Sequence, residues 1–346
     1  MHLRPRSLAI PLLVLVTSAA LTSCGATPAS QESATAQQQS GTAASTYPRV
    51  VVTTDIWGDV VGQIVNCGGG SVEVLMPSGA DPHDFAPSSA QLANVQDALI
   101  VISNGLGLES GMEDALMGVT EGGGNVLEIA ELLDPLPFGV TEKNGDHDHE
   151  EGHDHEEGHD HGALDPHVWF DPHVWFDLQR MAKAATIIGT ELDSLVDGRG
   201  RYTACAQQLS ESFSAADDEI RTLLADIPDE RRVLVTDHDA LGYFAAAYDF
   251  RVAGTVIPAG TTMAEPSGRD IAELSATITS LGVPAIFANV AQPQDLAQAV
   301  AAESGTQVKV IPLFVEGLGE PGSGADTYLG LMRSNAELIA AGLSSS

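Results

Sequence analysis

Cysteine is scarce in this chain, cationic side chains are heavily outnumbered, and beyond the N-terminus there is no long apolar run. The three cysteines of the 346 residues are Cys24, Cys67 and Cys205. They lack the close pairwise spacing of a thiolate zinc site, so a metal would have to be held by other donors. Cys67 and Cys205 could pair in an oxidising compartment, but nothing in the sequence sets their separation in space, and the pairing stays open. Lysine and arginine total 15 against 48 aspartates and glutamates, a formal charge of −33. That balance excludes nucleic acid and disfavours anionic substrates; it suits a cation, as well as plain solubility. No segment after the N-terminus approaches the ~20 uninterrupted apolar residues of a membrane-spanning helix.

What is present begins with an address. Arg4 and Arg6 precede an apolar run, Ser7–Leu21, too short to span a bilayer comfortably, and the run ends in Leu21-Thr22-Ser23-Cys24. This ending resembles the lipobox of bacterial lipoproteins. It implies that residues 1–23 are a signal peptide and that Cys24 is lipidated, holding the protein at the outer face of the cytoplasmic membrane. Without residues 1–23 the chain keeps 13 basic residues and a charge of −35. Ala26–Thr46 has no large apolar residue, so 24–46 reads as a flexible tether. Folding starts near Tyr47, and the remaining length suffices for two lobes.

From there apolar runs and helical patterns alternate. Strands are expected at Arg49–Thr54, Ser71–Met76 and Ala98–Asn104, with helices at Ile56–Asn66, Ser88–Gln96 and Leu106–Thr120, and a mixed segment at Asn125–Leu133. Asp177 is a helix N-cap, and a long helix covers Arg199–Leu224. Strands resume at Arg232–Thr236, Arg251–Ile257, Ala285–Asn289 and Val308–Leu313, and a last helix lies near Asp326–Leu343. Strand–helix alternation means parallel sheets with right-handed crossovers. The expected class is α/β, with an N-terminal lobe at 47–196, a linking helix at 197–228 and a C-terminal lobe at 229–346.

Residues 146–161 hold six histidines (His147, His149, His153, His155, His159 and His161) and eight carboxylates, with no apolar residue among them. Such a segment does not pack as core; its imidazoles can take divalent metal, zinc foremost. Two stretches, His149-Glu-Glu-Gly-His153 and His155-Glu-Glu-Gly-His159, match the zinc-protease pattern. That chemistry requires a docked helix. Glycine, adjacent carboxylates and the absence of an apolar stripe argue against one, so a protease is not expected. Weak accessory binding is.

Four other polar turns fall at strand ends or before a helix, where α/β sheets bind ligands. They are Gly79-Ala-Asp-Pro-His83-Asp-Phe-Ala-Pro-Ser88, Asp165-Pro-His167-Val-Trp-Phe repeated as Asp171-Pro-His173-Val-Trp-Phe, Thr236-Asp-His238-Asp, and Leu313-Phe-Val-Glu316. Three imidazoles and one carboxylate make a tetrahedral zinc set that fills the coordination sphere and leaves no catalytic position, so an enzyme is not expected.

These turns, with Asp237-His-Asp-Ala-Leu-Gly-Tyr-Phe244 and Gly319-Glu-Pro-Gly-Ser-Gly-Ala-Asp-Thr-Tyr328, strongly resemble the zinc- and manganese-binding solute receptors of bacterial ABC importers, over about residues 49–342. The resemblance implies two α/β lobes, each a small parallel sheet flanked by helices, joined by one long helix with the metal buried between them. It implies a monomeric receptor delivering metal to an ABC permease, and it marks His83, His238 and Glu316 as ligands. The group usually has aspartate where Glu316 stands, leaving one- or two-oxygen ligation open. Ala288-Asn289 departs from an expected Phe-Ala-Glu, which removes a carboxylate behind the site. The second ligand is His173 or His167; His173 is preferred because it keeps register with the rigid Asp177 helix. Three histidines favour Zn2+ over Mn2+ or iron. The alternatives are a manganese or iron receptor, or an adhesin or zinc-storage role at the cell surface.

Overall fold

Short parallel strands, apolar chiefly in their central members, organise both halves of the chain. The computed structural model describes residues 47–139, 170–257, 262–305 and 307–344. Cys24, His167 and the histidine-rich run 146–161 lie outside the described residues. In the first half, β1 (Arg49–Val52), β2 (Ser71–Val74), β3 (Ile100–Ser103) and β4 (Val126–Glu128) form a parallel sheet in the order β2-β1-β3-β4. In the second, β5 (Val233–Thr236), β6 (Arg251–Thr255), β7 (Ala285–Asn289) and β8 (Lys309–Leu313) repeat it as β6-β5-β7-β8. Central β1, β3, β5 and β7 are covered on both faces, which is why they read as unbroken Val/Ile/Leu/Phe runs instead of alternating.

Helices fill the crossovers and their starts are chemically marked. The Thr54 hydroxyl accepts from Trp57 N at the head of α1 (Asp55–Gly68). Ser88 and Gln91 close a capping box on α2 (Ser89–Gln96). The Asp177 carboxylate accepts from Gln179 N and Arg180 N to begin α4 (Leu178–Val196), as its position suggested. The second half adds α6 (Gly242–Ala247), α7 (Gly268–Leu281), α8 (Asp295–Glu303) and α9 (Tyr328–Ser344).

The long helix is α5 (Arg201–Leu224), 24 residues or about 36 Å. Its buried stripe, Tyr202, Ala206, Leu209, Phe213, Ala216, Ile220 and Leu224, steps by three and four residues. It packs on α1 and α4 of the first lobe and on α9 of the second; Phe213 meets Tyr328 edge-on with ring centroids 5.1 Å apart. One continuous apolar core therefore runs from Val50 and Ile102 through α4 and α5 to Leu234, Phe287 and Leu313. Cys67 and Cys205 are joined, which fastens α1 to α5 and answers the pairing question left by the sequence.

One expected helix is not continuous. Leu106–Thr120 shows helical spacing, yet α3 covers only Glu113–Glu121 after a single 3-10 turn at Ser110–Met112. Gly105, Leu106 and Gly107 all have positive φ (81°, 55° and 76°), because the buried Glu109 carboxylate draws in the N–H groups of Asn104 and Gly105 at 2.7 and 3.0 Å. A side-chain acceptor has replaced the helical carbonyls.

Candidate metal centre

Parallel strands point their carboxyl ends the same way, so the loops leaving β2, β5 and β8 open on the cleft between the lobes. His83 follows β2, His238 lies two residues past β5, and Glu316 three past β8. His173 arrives from the turn ahead of α4, after the Pro137–Phe170 bridge. Their ligand atoms all lie within 4.8 Å of one another. Glu316 Oε1 is 3.1 Å from His83 Nε2, 2.9 Å from His238 Nε2 and 3.9 Å from His173 Nε2. Donors around a tetrahedral zinc at about 2.0–2.1 Å would stand roughly 3.3 Å apart. The spacing fits.

All four residues are buried, none more than 4% exposed, yet the three Nε2 atoms and Oε1 have no aligned hydrogen-bond partner. Buried polar atoms are nearly always paired, so four orphans facing one point mark a cation site. Among the described residues these donors form the one such cluster of histidine and carboxylate.

Each ligand turn is held by an aspartate just before its histidine, and for His173 and His238 that aspartate also meets the imidazole. Asp171 Oδ1 accepts from His173 N at 2.9 Å and contacts its Nδ1 at 2.6 Å. Asp237 Oδ1 does the same for His238, at 2.8 and 3.0 Å. Asp81 Oδ1 accepts from His83 N at 2.9 Å. With Nδ1 engaged by a carboxylate, Nε2 of His173 and His238 is the atom left for metal.

Glu316 and the imidazoles shift one another's charge. Burial opposes charge on His238, but the Asp237 and Glu316 carboxylates overcome it and push its pKa up to about 10. Burial likewise opposes charge on His173, and Asp171 raises it nonetheless. Burial would raise Glu316, but the three facing imidazoles hold it well below the usual carboxylate range. Imidazolium and carboxylate thus stand in for the cation and its ligands.

Contacts between the lobes set the ligand turns. Asp81 Oδ2 accepts from Thr262 Oγ1 and, at 2.8 Å, from Gln292 Nε2. Tyr243 donates to Asp171 O at 2.8 Å and accepts from Leu136 N at 2.9 Å. Gly242 makes room for this clasp, since a Cβ there would lie 2.6 Å from Asp171 Oδ2. Trp175 Nε1 donates to Val315 O at 2.9 Å, and Asp55 Oδ2 accepts from Leu318 N at 3.1 Å, bracketing Glu316. The aspartates were visible as neighbours of the histidines. Trp175 and Tyr243 lie within the quoted motifs, though their partners across the lobes do not, and Gln292 carries no local mark of this role.

Known proteins share this arrangement. The ZnuA family, described as zinc-uptake complex component A periplasmic, matches residues 50–342. The zinc-binding protein TroA of Treponema pallidum is 29% identical over 306 residues, covering 87% of this chain and 90% of TroA. The manganese-binding lipoprotein MntA of Bacillus subtilis is 29% identical over 332 residues, covering 94% and 96%. A solved structure of Treponema pallidum TroA superposes with a TM-score of 0.73 at 28% identity, over 86% of this chain and all of TroA. With the two-sheet fold, the interlobe donor cluster and this match over nearly the whole folded chain in agreement, the protein belongs to the ZnuA family of metal-binding receptors that serve ABC importers.

Proposed function

We propose that the protein captures Zn2+ through His83, His173, His238 and Glu316 and delivers it to an ABC permease, while a lipid on Cys24 holds it at the outer face of the cytoplasmic membrane. The observation that carries this reading is the set of orphaned donors, three imidazole nitrogens and one carboxylate oxygen. A nitrogen-rich, four-donor set suits zinc better than manganese, which prefers more oxygen and more ligands. Competition titration of the purified chain with Zn2+ and Mn2+ against a chromophoric chelator tests it. Tighter Mn2+ binding rejects the zinc assignment.

A manganese receptor is the second reading, supported by the likeness to MntA. The same titration separates the two. Choice of the second ligand needs two variants: His173→Ala should abolish tight binding and His167→Ala should leave it, and normal affinity in the His173 variant would move the role to His167. The run 146–161 is assigned weak accessory zinc binding, because an array without fixed geometry binds loosely. Its deletion should lower zinc stoichiometry and preserve one tight site.

A further inference from the structure

The two oxygens of Glu316 are not equivalent. Oε1 faces the three imidazoles and has no aligned hydrogen-bond partner. Oε2 accepts from Asn289 Nδ2 at 3.2 Å. Asn289, at the carboxyl end of β7, is 1% exposed and its amide cannot be reversed: Oδ1 already accepts from Ala291 N at 3.1 Å, which leaves only the NH2 for Glu316. Its backbone N–H donates to Asp237 Oδ2 at 2.6 Å, tying it to the carboxylate that aims His238.

Building on the zinc reading, we propose that Asn289 determines metal specificity by occupying Glu316 Oε2, so that the glutamate binds through Oε1 alone and coordination stops at four. A two-oxygen grip by Glu316 would raise the number to five and move the site toward the oxygen-rich environment that manganese prefers. That grip would draw Oε2 toward the metal and away from Asn289 Nδ2, weakening a hydrogen bond that already occupies one of its lone pairs. A carboxylate at position 289 would act in reverse, because it offers Oε2 no N–H and adds a like charge beside it.

The experiment loads the full chain with Co2+ as a spectroscopic stand-in and measures Zn2+ and Mn2+ affinities in parallel. The wild-type protein should give the intense visible bands of four-coordinate cobalt. Asn289→Leu keeps the volume and removes both the donor to Oε2 and the acceptor for Ala291 N. Its bands should weaken several-fold, and its Zn2+/Mn2+ affinity ratio should fall about tenfold, the worth of one buried hydrogen bond. Weak five- or six-coordinate bands in the wild-type protein overturn the proposal. So do unchanged bands and ratio in folded Asn289→Leu, and that result leaves the zinc reading intact. A wild-type preference for Mn2+ rejects the zinc reading itself and the proposal with it. If Asn289→Leu does not fold, zinc-edge X-ray absorption of the wild-type protein decides: four nitrogen and oxygen neighbours support the proposal and five overturn it.

Discussion

His83, His173 and His238 each follow an aspartate that accepts from the histidine's own backbone N–H, so the three histidine turns are each held by a local contact. Charge then couples the turns. His238, pushed up to about 10, is an imidazolium at neutral pH when no metal is bound. Its folded pKa lies above the ordinary value of 6.5, so its contribution to the metal-free fold is complete below pH 6.5 and is lost as pH rises through about 10. Zinc must displace that proton. Affinity for Zn2+ should therefore climb with pH between about 7 and 10, and calorimetry at pH 7 in buffers of different ionisation enthalpy should register at least one proton released per zinc. Buffer-independent enthalpies would show that His238 is already neutral.

At the scale of elements, the disulfide links the far end of α1 to the second turn of α5, while the head of α1 holds the Glu316 loop through Asp55 and Leu318. The cross-link spans 138 residues of chain, which in the chain-entropy view limits the unfolded state strongly. Cys67→Ser/Cys205→Ser should lose roughly 2–5 kcal/mol in denaturant unfolding. Zinc affinity should stay within about twofold, because the bridge lies at the opposite end of α1 from the ligands. A large loss of affinity would show that α5 positions the site directly.

Across the whole molecule, what the sequence made legible was local. Strand ends, the Asp-Pro-His turns and the Asp177 cap each occupy a few adjacent residues whose chemistry points one way. The Gly105–Gly107 break leaves no trace in apolar spacing because its cause, Glu109, acts by drawing backbone N–H groups to a side chain. The clasps between lobes are hidden for another reason: Asp81 and Gln292 are 211 positions apart, and only the packed fold brings them together. That clasp holds the His83 turn against the second lobe and should slow metal escape. Gln292→Ala is expected to raise the zinc dissociation rate about three- to tenfold in stopped-flow chelator capture, by the loss of one hydrogen bond to a charged group. An unchanged rate would make the contact incidental.

Trp175 sits edge-on to His173 with ring centroids 5.2 Å apart, and its indole N–H is fixed on Val315 O. The protein thus carries its own optical gauge. A charged imidazole beside an excited indole drains its emission, whereas a metal-bound neutral imidazole drains it far less. With Trp57 and Trp169 replaced by phenylalanine, the remaining fluorescence should change as zinc binds His173. The same signal would reverse in a stopped-flow cell when the metal leaves, timing release without a label.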